Sequence, residues 1–68
     1  MKYYVVGIYD SSSHSNKPLY LYEVEANGPE EAIEKAFYLS PISEEAGMDF
    51  LYFQKKIAKR FVLNLIEI

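Results

Sequence analysis

Residues 2–9, "KYYVVGIY", are β-branched and aromatic with hardly a helix former among them, a pattern that predicts a strand. Apolar side chains fall on both of its faces, as expected of a central or well-covered strand. Gly7 interrupts the run and marks either a bulge or a close backbone approach. Residues 10–17, "DSSSHSNK", carry no apolar side chain and read as the polar tip of a long hairpin. Pro18 then opens "PLYLYEVEA", residues 18–26, where Tyr20, Tyr22 and Val24 alternate with Leu19, Leu21, Glu23 and Glu25. This is a second strand, and antiparallel pairing with the first is the simplest topology.

At Asn27 the period changes from two to 3.6. In "NGPEEAIEKA" and the residues after it, Ala32, Ile33, Ala36, Phe37 and Ser40 share one helical face, while Glu30, Glu31, Glu34 and Lys35 face water. Gly28, or Asn27 through its side-chain oxygen, caps the helix, and Pro29 suits the first helical position because its missing N–H has no partner to lose there. Glu30 and Glu31 stand where the helix dipole favours anions. Pro41 disfavours helical geometry in the residue before it, so the helix stops at Ser40.

Residues 41–48, "PISEEAGM", fit one helical turn ended by Gly47. Asp49 then caps a second helix running to Arg60, with Phe50, Phe53, Ile57 and Phe61 at helical spacing. A competing assignment makes "MDFLYFQ" a strand and "KKIAKR" its turn; that turn lacks Gly, Pro, Asn and Asp, which favours the helix. Residues 61–68, "FVLNLIEI", are apolar and β-branched and form a third strand. The expected fold is one α+β domain over residues 1–68: a three-stranded antiparallel sheet, β-β-α-(α)-β, with helices on one face in two layers.

Half of the residues are apolar and 16 % aromatic, which argues for a folded globule. A single core of this size rarely nets more than ~3–5 kcal/mol, and the absence of Cys removes disulfides and thiolate metal sites as staples. Self-association follows as an expectation. The N-terminal run alternates like a strand and is too short for a signal-peptide core, and no apolar stretch approaches the roughly 18 residues that span a bilayer. The chain reads as soluble and cytoplasmic. Its net charge of −3 is unevenly spread. Residues 18–50 hold eight acids (Glu23, Glu25, Glu30, Glu31, Glu34, Glu44, Glu45, Asp49) against Lys35, whereas Lys55, Lys56, Lys59 and Arg60 face only Glu67 in residues 51–68.

Catalytic chemistry finds little footing. His14, the one histidine, sits among Ser12, Ser13 and Ser15, but neighbours so close in a polar loop rarely hold nucleophile geometry. No catalytic residue, metal ligand set or cofactor site is assigned: the acids lack calcium-loop spacing and the three glycines are isolated. A chain this short leaves little room for a cleft, so a non-enzymatic protein is expected.

The seven tyrosines are the more informative excess. Tyr3, Val5, Gly7 and Tyr9 share one face of their strand, and Tyr20, Tyr22 and Val24 one face of theirs. With helices covering the opposite faces, Tyr3, Tyr9, Tyr20 and Tyr22 line one exposed sheet surface suited to recognition. The acidic helix face of Glu30, Glu31 and Glu34 is a second candidate partner surface. Single-stranded nucleic acid is a weaker alternative, since the hairpin offers only Lys2 and Lys17 for phosphates.

"YLYEVEANGPEEAIEKAF", residues 20–37, resembles a recurring segment of uncharacterised small bacterial and phage α+β proteins, in which a strand exits into a Ser/Gly-Pro-Glu-Glu-Ala helix start. The resemblance covers about a quarter of the chain, implies the hairpin-then-helix fold, and carries over no functional residue. It also suggests a small phage-type inhibitor that presents an acidic surface to a host or defence protein. The leading expectation is a protein-interaction module with a protein partner, binding through the tyrosine-bearing sheet face, a sheet edge or the acidic helix face. The last strand ends at Ile68 with no charged guard after Glu67, so at an edge it could pair with its own copy as a homodimer.

Overall fold

Strand β1 (Lys2–Asp10) lies between β2 (Tyr20–Ala26) and β3 (Phe61–Glu67), antiparallel to both, in the order β2-β1-β3. The computed structural model describes residues 1–13 and 16–68; His14 and Ser15, and with them the loop-histidine reading, lie outside the described residues. Helix α1 (Pro29–Leu39), the short α2 (Ile42–Glu45) and α3 (Phe50–Tyr52) follow β2. The last continues through a π turn (Phe53–Ile57) and a 3-10 turn (Ala58–Arg60) into β3. The expected α+β architecture of a three-stranded antiparallel sheet and one helical layer is the one observed. A shortest dimension of 16 Å leaves room for just these two layers.

Alternation decides which face is sealed. Tyr4, Val6 and Ile8 of β1 are buried, and the register sets them beside Val24, Tyr22 and Tyr20 on one side and Glu67, Leu65 and Leu63 on the other. Onto this face α1 lays Ala32, Ala36 and Phe37. The two alanines let the helix approach Val24 and Ala26 closely, while Phe37 reaches a second cluster with Ile42, Ala46, Phe53 and Ile57. Phe37 meets Phe53 with ring centroids 4.8 Å apart and Phe50 at 5.2 Å, spacings typical of favourable aromatic pairs.

The helix boundaries follow local chemistry. Gly28 caps α1 with extended backbone and no side-chain bond. Glu31 compensates by reaching back past the cap to accept the N–H of Asn27 at 2.6 Å. Ser40, extended because Pro41 follows, accepts the Ile42 N–H on its Oγ at 3.0 Å, and its carbonyl accepts the Ser43 hydroxyl at 2.8 Å. The two buried serines are thereby satisfied. After α2, Met48 N–H donates to Ser43 O and Gly47 N–H to Glu44 O, a Schellman closure that needs the left-handed Gly47 at φ 64°.

The expected helix over 49–60 is present in pieces. Asp49 caps it by accepting the Tyr52 N–H at 3.1 Å, but the Ala58 N–H bonds to Phe53 O, one residue wider than an α turn. That wider turn keeps Phe53 and Ile57 both buried while the chain straightens into β3. Pro18 stands outside β2, since it has no N–H to donate; Leu19 N–H makes the first bond, to Ile8 O at 2.8 Å.

Candidate interaction surfaces

The odd-numbered side of β1 is the open face of the sheet. Tyr3, Val5, Gly7 and Tyr9 lie there beside Leu21, Glu23 and Glu25 of β2 and Val62, Asn64 and Ile66 of β3. Tyr3, Leu21, Val62, Ile66 and Ile68 are each between 50 and 69 % exposed. Tyr9 is folded inward over the central strand: a Cβ on Gly7 would meet Tyr9 Cε1 at 2.9 Å. The register runs unbroken through Gly7, so this glycine marks a close approach and not a bulge. The result is an apolar pavement bordered along β2 by two acids, Glu23 and Glu25. No Lys or Arg stands among the face residues described.

The four hairpin tyrosines do not share this face, which corrects the expectation from strand parity. Val6 pairs with Tyr22 and Ile8 with Tyr20, so Tyr20 and Tyr22 belong to the helix-covered side, half-buried against the Ile8 and Phe37 cluster. Only Tyr3 and Tyr9 face outward. Parity within one strand fixes which residues lie together, but the relative phase of two strands depends on the hairpin register, to which a polar loop of this length gives no clue. Burial raises the ionisation of Tyr22 above the ordinary tyrosine range, with a smaller contribution from Tyr20; its hydroxyl donates to Leu39 O at 3.4 Å.

The acidic helix face is also divided. Glu30 and Glu34 are exposed and border a groove of about 310 Å³ with Ile33, Phe50 and Gln54. Glu31 is turned back to the Asn27 amide and lies 3.9 Å from Lys35. Lys35 also donates to Glu25 O at 2.5 Å, so the ammonium is folded over the edge of β2 and both residues are half-buried. Beside it runs a groove of about 490 Å³ lined by Glu23, Val24, Glu25, Lys35, Tyr38 and Leu39. The acidic and basic stretches of the chain meet where Arg60 bonds Glu45, with the guanidinium also 5.5 Å from the Phe61 ring.

At the hairpin tip, Asp10 Oδ1 accepts from the Ser12 hydroxyl at 2.7 Å and from its amide at 2.9 Å. These bonds hold the Asp10 carboxyl below its ordinary range. They are the internal bonds of an Asx turn, which tie Asp10 to Ser12 and leave the carboxylate engaged.

Among the described residues, no group of three or more His, Cys, Asp or Glu side chains is placed to hold a metal ion. No described helix is long and apolar enough to cross a membrane. Leu21, Val62 and Ile66 were not singled out from sequence, and Ile68 was named only as the unguarded end of a strand. The signal was present in "FVLNLIEI", apolar on both faces, because a two-layer fold can cover only one of them. No family model, curated protein or solved structure matches the chain.

Proposed function

We propose that this domain is a non-catalytic protein-interaction module whose recognition surface is the open face of its sheet. The observation that carries the reading is the concentration of exposed Tyr3, Leu21, Val62, Ile66 and Ile68 on the side opposite the helices. Contiguous apolar surface of this kind is rare on soluble monomers unless something covers it. Tyr3 adds a rigid aromatic with a polar tip, a residue type favoured at binding hot spots. Glu23 and Glu25 along one margin, neither in an ion pair among the described residues, complement a partner whose apolar surface is flanked on one side by Lys or Arg. The same acids, with no base on the face, disfavour a phosphate backbone there.

A second reading, the small inhibitor with an acidic surface, draws on Glu30 and Glu34, exposed on α1 beside Ile33 and the Phe50 of α3. One experiment separates the two. The tagged full chain, its Tyr3→Thr/Leu21→Thr variant and its Glu30→Ala/Glu34→Ala variant are each used to capture partners from the cells that make it, after circular dichroism has shown that all three fold. The face reading expects the first variant alone to lose a partner held by the parent. Loss with the second variant alone favours the acidic helix. Loss with neither removes both.

A further inference from the structure

The two edges of the sheet are built differently, and the difference points to a second copy of this chain. Strand β2 is guarded as edges usually are: Glu23 and Glu25 lie on it, Pro18 precedes it, and the Lys35 ammonium occupies the Glu25 carbonyl. Strand β3 has fewer: its one charged residue, Glu67, stands at the very end, 3.6 Å from Lys2. It is seven residues long, without Pro, Lys or a bulge, and its register with β1 is regular from end to end. Ile68 N–H donates to Tyr3 O, so by antiparallel alternation Val62, Asn64 and Ile66 turn their backbone groups toward β1. Those of Phe61, Leu63, Leu65 and Glu67 then point away from the sheet.

Both faces of β3 are apolar and no residue in it is fully buried. Phe61, Leu63 and Leu65, which face the helices, are only half-covered, because the helical layer stops short of this edge. The inner face of β3 therefore lacks a neighbour on its outer side.

We infer that β3 pairs antiparallel with β3 of a second copy about a two-fold axis at Asn64, joining the two sheets into one of six strands. This register uses the whole strand. Leu63 stands opposite Leu65 of the second copy on the helix side, and Val62 opposite Ile66 on the open side. The outward backbone groups of residues 61, 63, 65 and 67 find partners in the matching groups of the other copy. It is also the register that complements charge. The strand begins after Lys59 and ends at Glu67, so antiparallel pairing brings Lys59 of one copy toward Glu67 of the other, an acid it shares with that copy's own Lys2 at 3.6 Å, while Arg60 keeps its bond to Glu45. Lys59 has no ion pair among the described residues. An axis perpendicular to the sheet keeps both helical layers on one side and merges the two open faces into one wider surface. The pairing goes beyond the face reading and does not depend on it, since it uses the outward backbone of β3, whereas the face variant changes Tyr3 on β1 and Leu21 on β2.

Sedimentation of the full chain from micromolar to millimolar concentration tests the pairing. A monomer–dimer equilibrium is expected, and Asn64→Lys, which sets two ammonium groups against each other at the axis, shifts it several-fold toward monomer with folding intact. The register has its own readout because the chain lacks Cys. Under mild oxidation Asn64→Cys crosslinks to a covalent dimer, since directly opposed non-hydrogen-bonded positions lie close enough for a disulfide. Val62→Cys and Ile66→Cys alone crosslink far more slowly. A strict monomer throughout the range overturns the inference, as does crosslinking at residue 62 or 66 as fast as at 64.

Discussion

The two faces of one sheet use the same three strands for different ends. On the helix side, Tyr4, Val6 and Ile8 meet Ala32, Ala36, Phe37 and Phe53, and these seven side chains are out of water. On the open side, Leu21, Val62 and Ile66 have similar character and remain exposed. Hydrophobicity alone does not distinguish them. The helices do, because a chain this short has helix enough for one layer. Residues of the closed face answer to folding, and those of the open face are free to answer to a partner.

Breaking the closed face has the largest effect. Phe37→Ala removes the ring shared by the aromatic cluster and costs about 3–5 kcal/mol, comparable to the whole stability of a domain this size. It is expected to appear unfolded by circular dichroism at room temperature. Ser40→Ala is the next largest. It strips the buried Ile42 N–H of its acceptor at the turn between α1 and α2, a loss of about 1–2 kcal/mol in urea titration.

Tyr4→Phe sharpens the contrast in the other direction. Tyr4 is 2 % exposed and its hydroxyl has no hydrogen-bond partner among the described residues. Removing that oxygen relieves a desolvation cost, so the variant is expected to match or exceed the parent by about 1 kcal/mol. A clear loss of stability would show that the hydroxyl is satisfied.

The smallest effect is a pH dependence at the hairpin tip. The folded Asp10 carboxyl titrates below its unfolded value, so its contribution is present above the unfolded pKa and is lost as pH falls through the folded one. The group is exposed, and the expected sign is a local loosening of residues 10–12 in acid. Amide shifts of Ser12 followed by NMR report it, and Asp10→Asn abolishes the titration.

Much of the fold was legible because its signals are local. Period-two strands, Pro29 after Gly28, Pro41 after Ser40, Gly47 and the Asp49 cap each act within a few residues, and each element stands close to where those signals put it. The π turn was not legible, since Phe50, Phe53 and Ile57 fit an α turn as well as a wider one. The candidate surface was legible only by halves. Tyr3 and Tyr9 share a face as their spacing requires, but placing Tyr20 and Tyr22 needed the register between strands, a non-local quantity. The inward turn of Glu31 and Lys35 likewise depends on the end of β2 lying beneath α1.

The account rests on the open face having little structural duty in the monomer. Urea unfolding of the Leu21→Thr/Val62→Thr/Ile66→Thr variant tests this most directly, at concentrations low enough to keep the chain monomeric. Threonine is β-branched and suits a strand while removing most of the exposed apolar surface. The expected result is a stability within about 0.5 kcal/mol of the parent for each substitution, as for surface positions generally. A loss of several kcal/mol, with the midpoint collapsing toward that of Phe37→Ala, would show that the open face belongs to the domain's own core and would contradict the account.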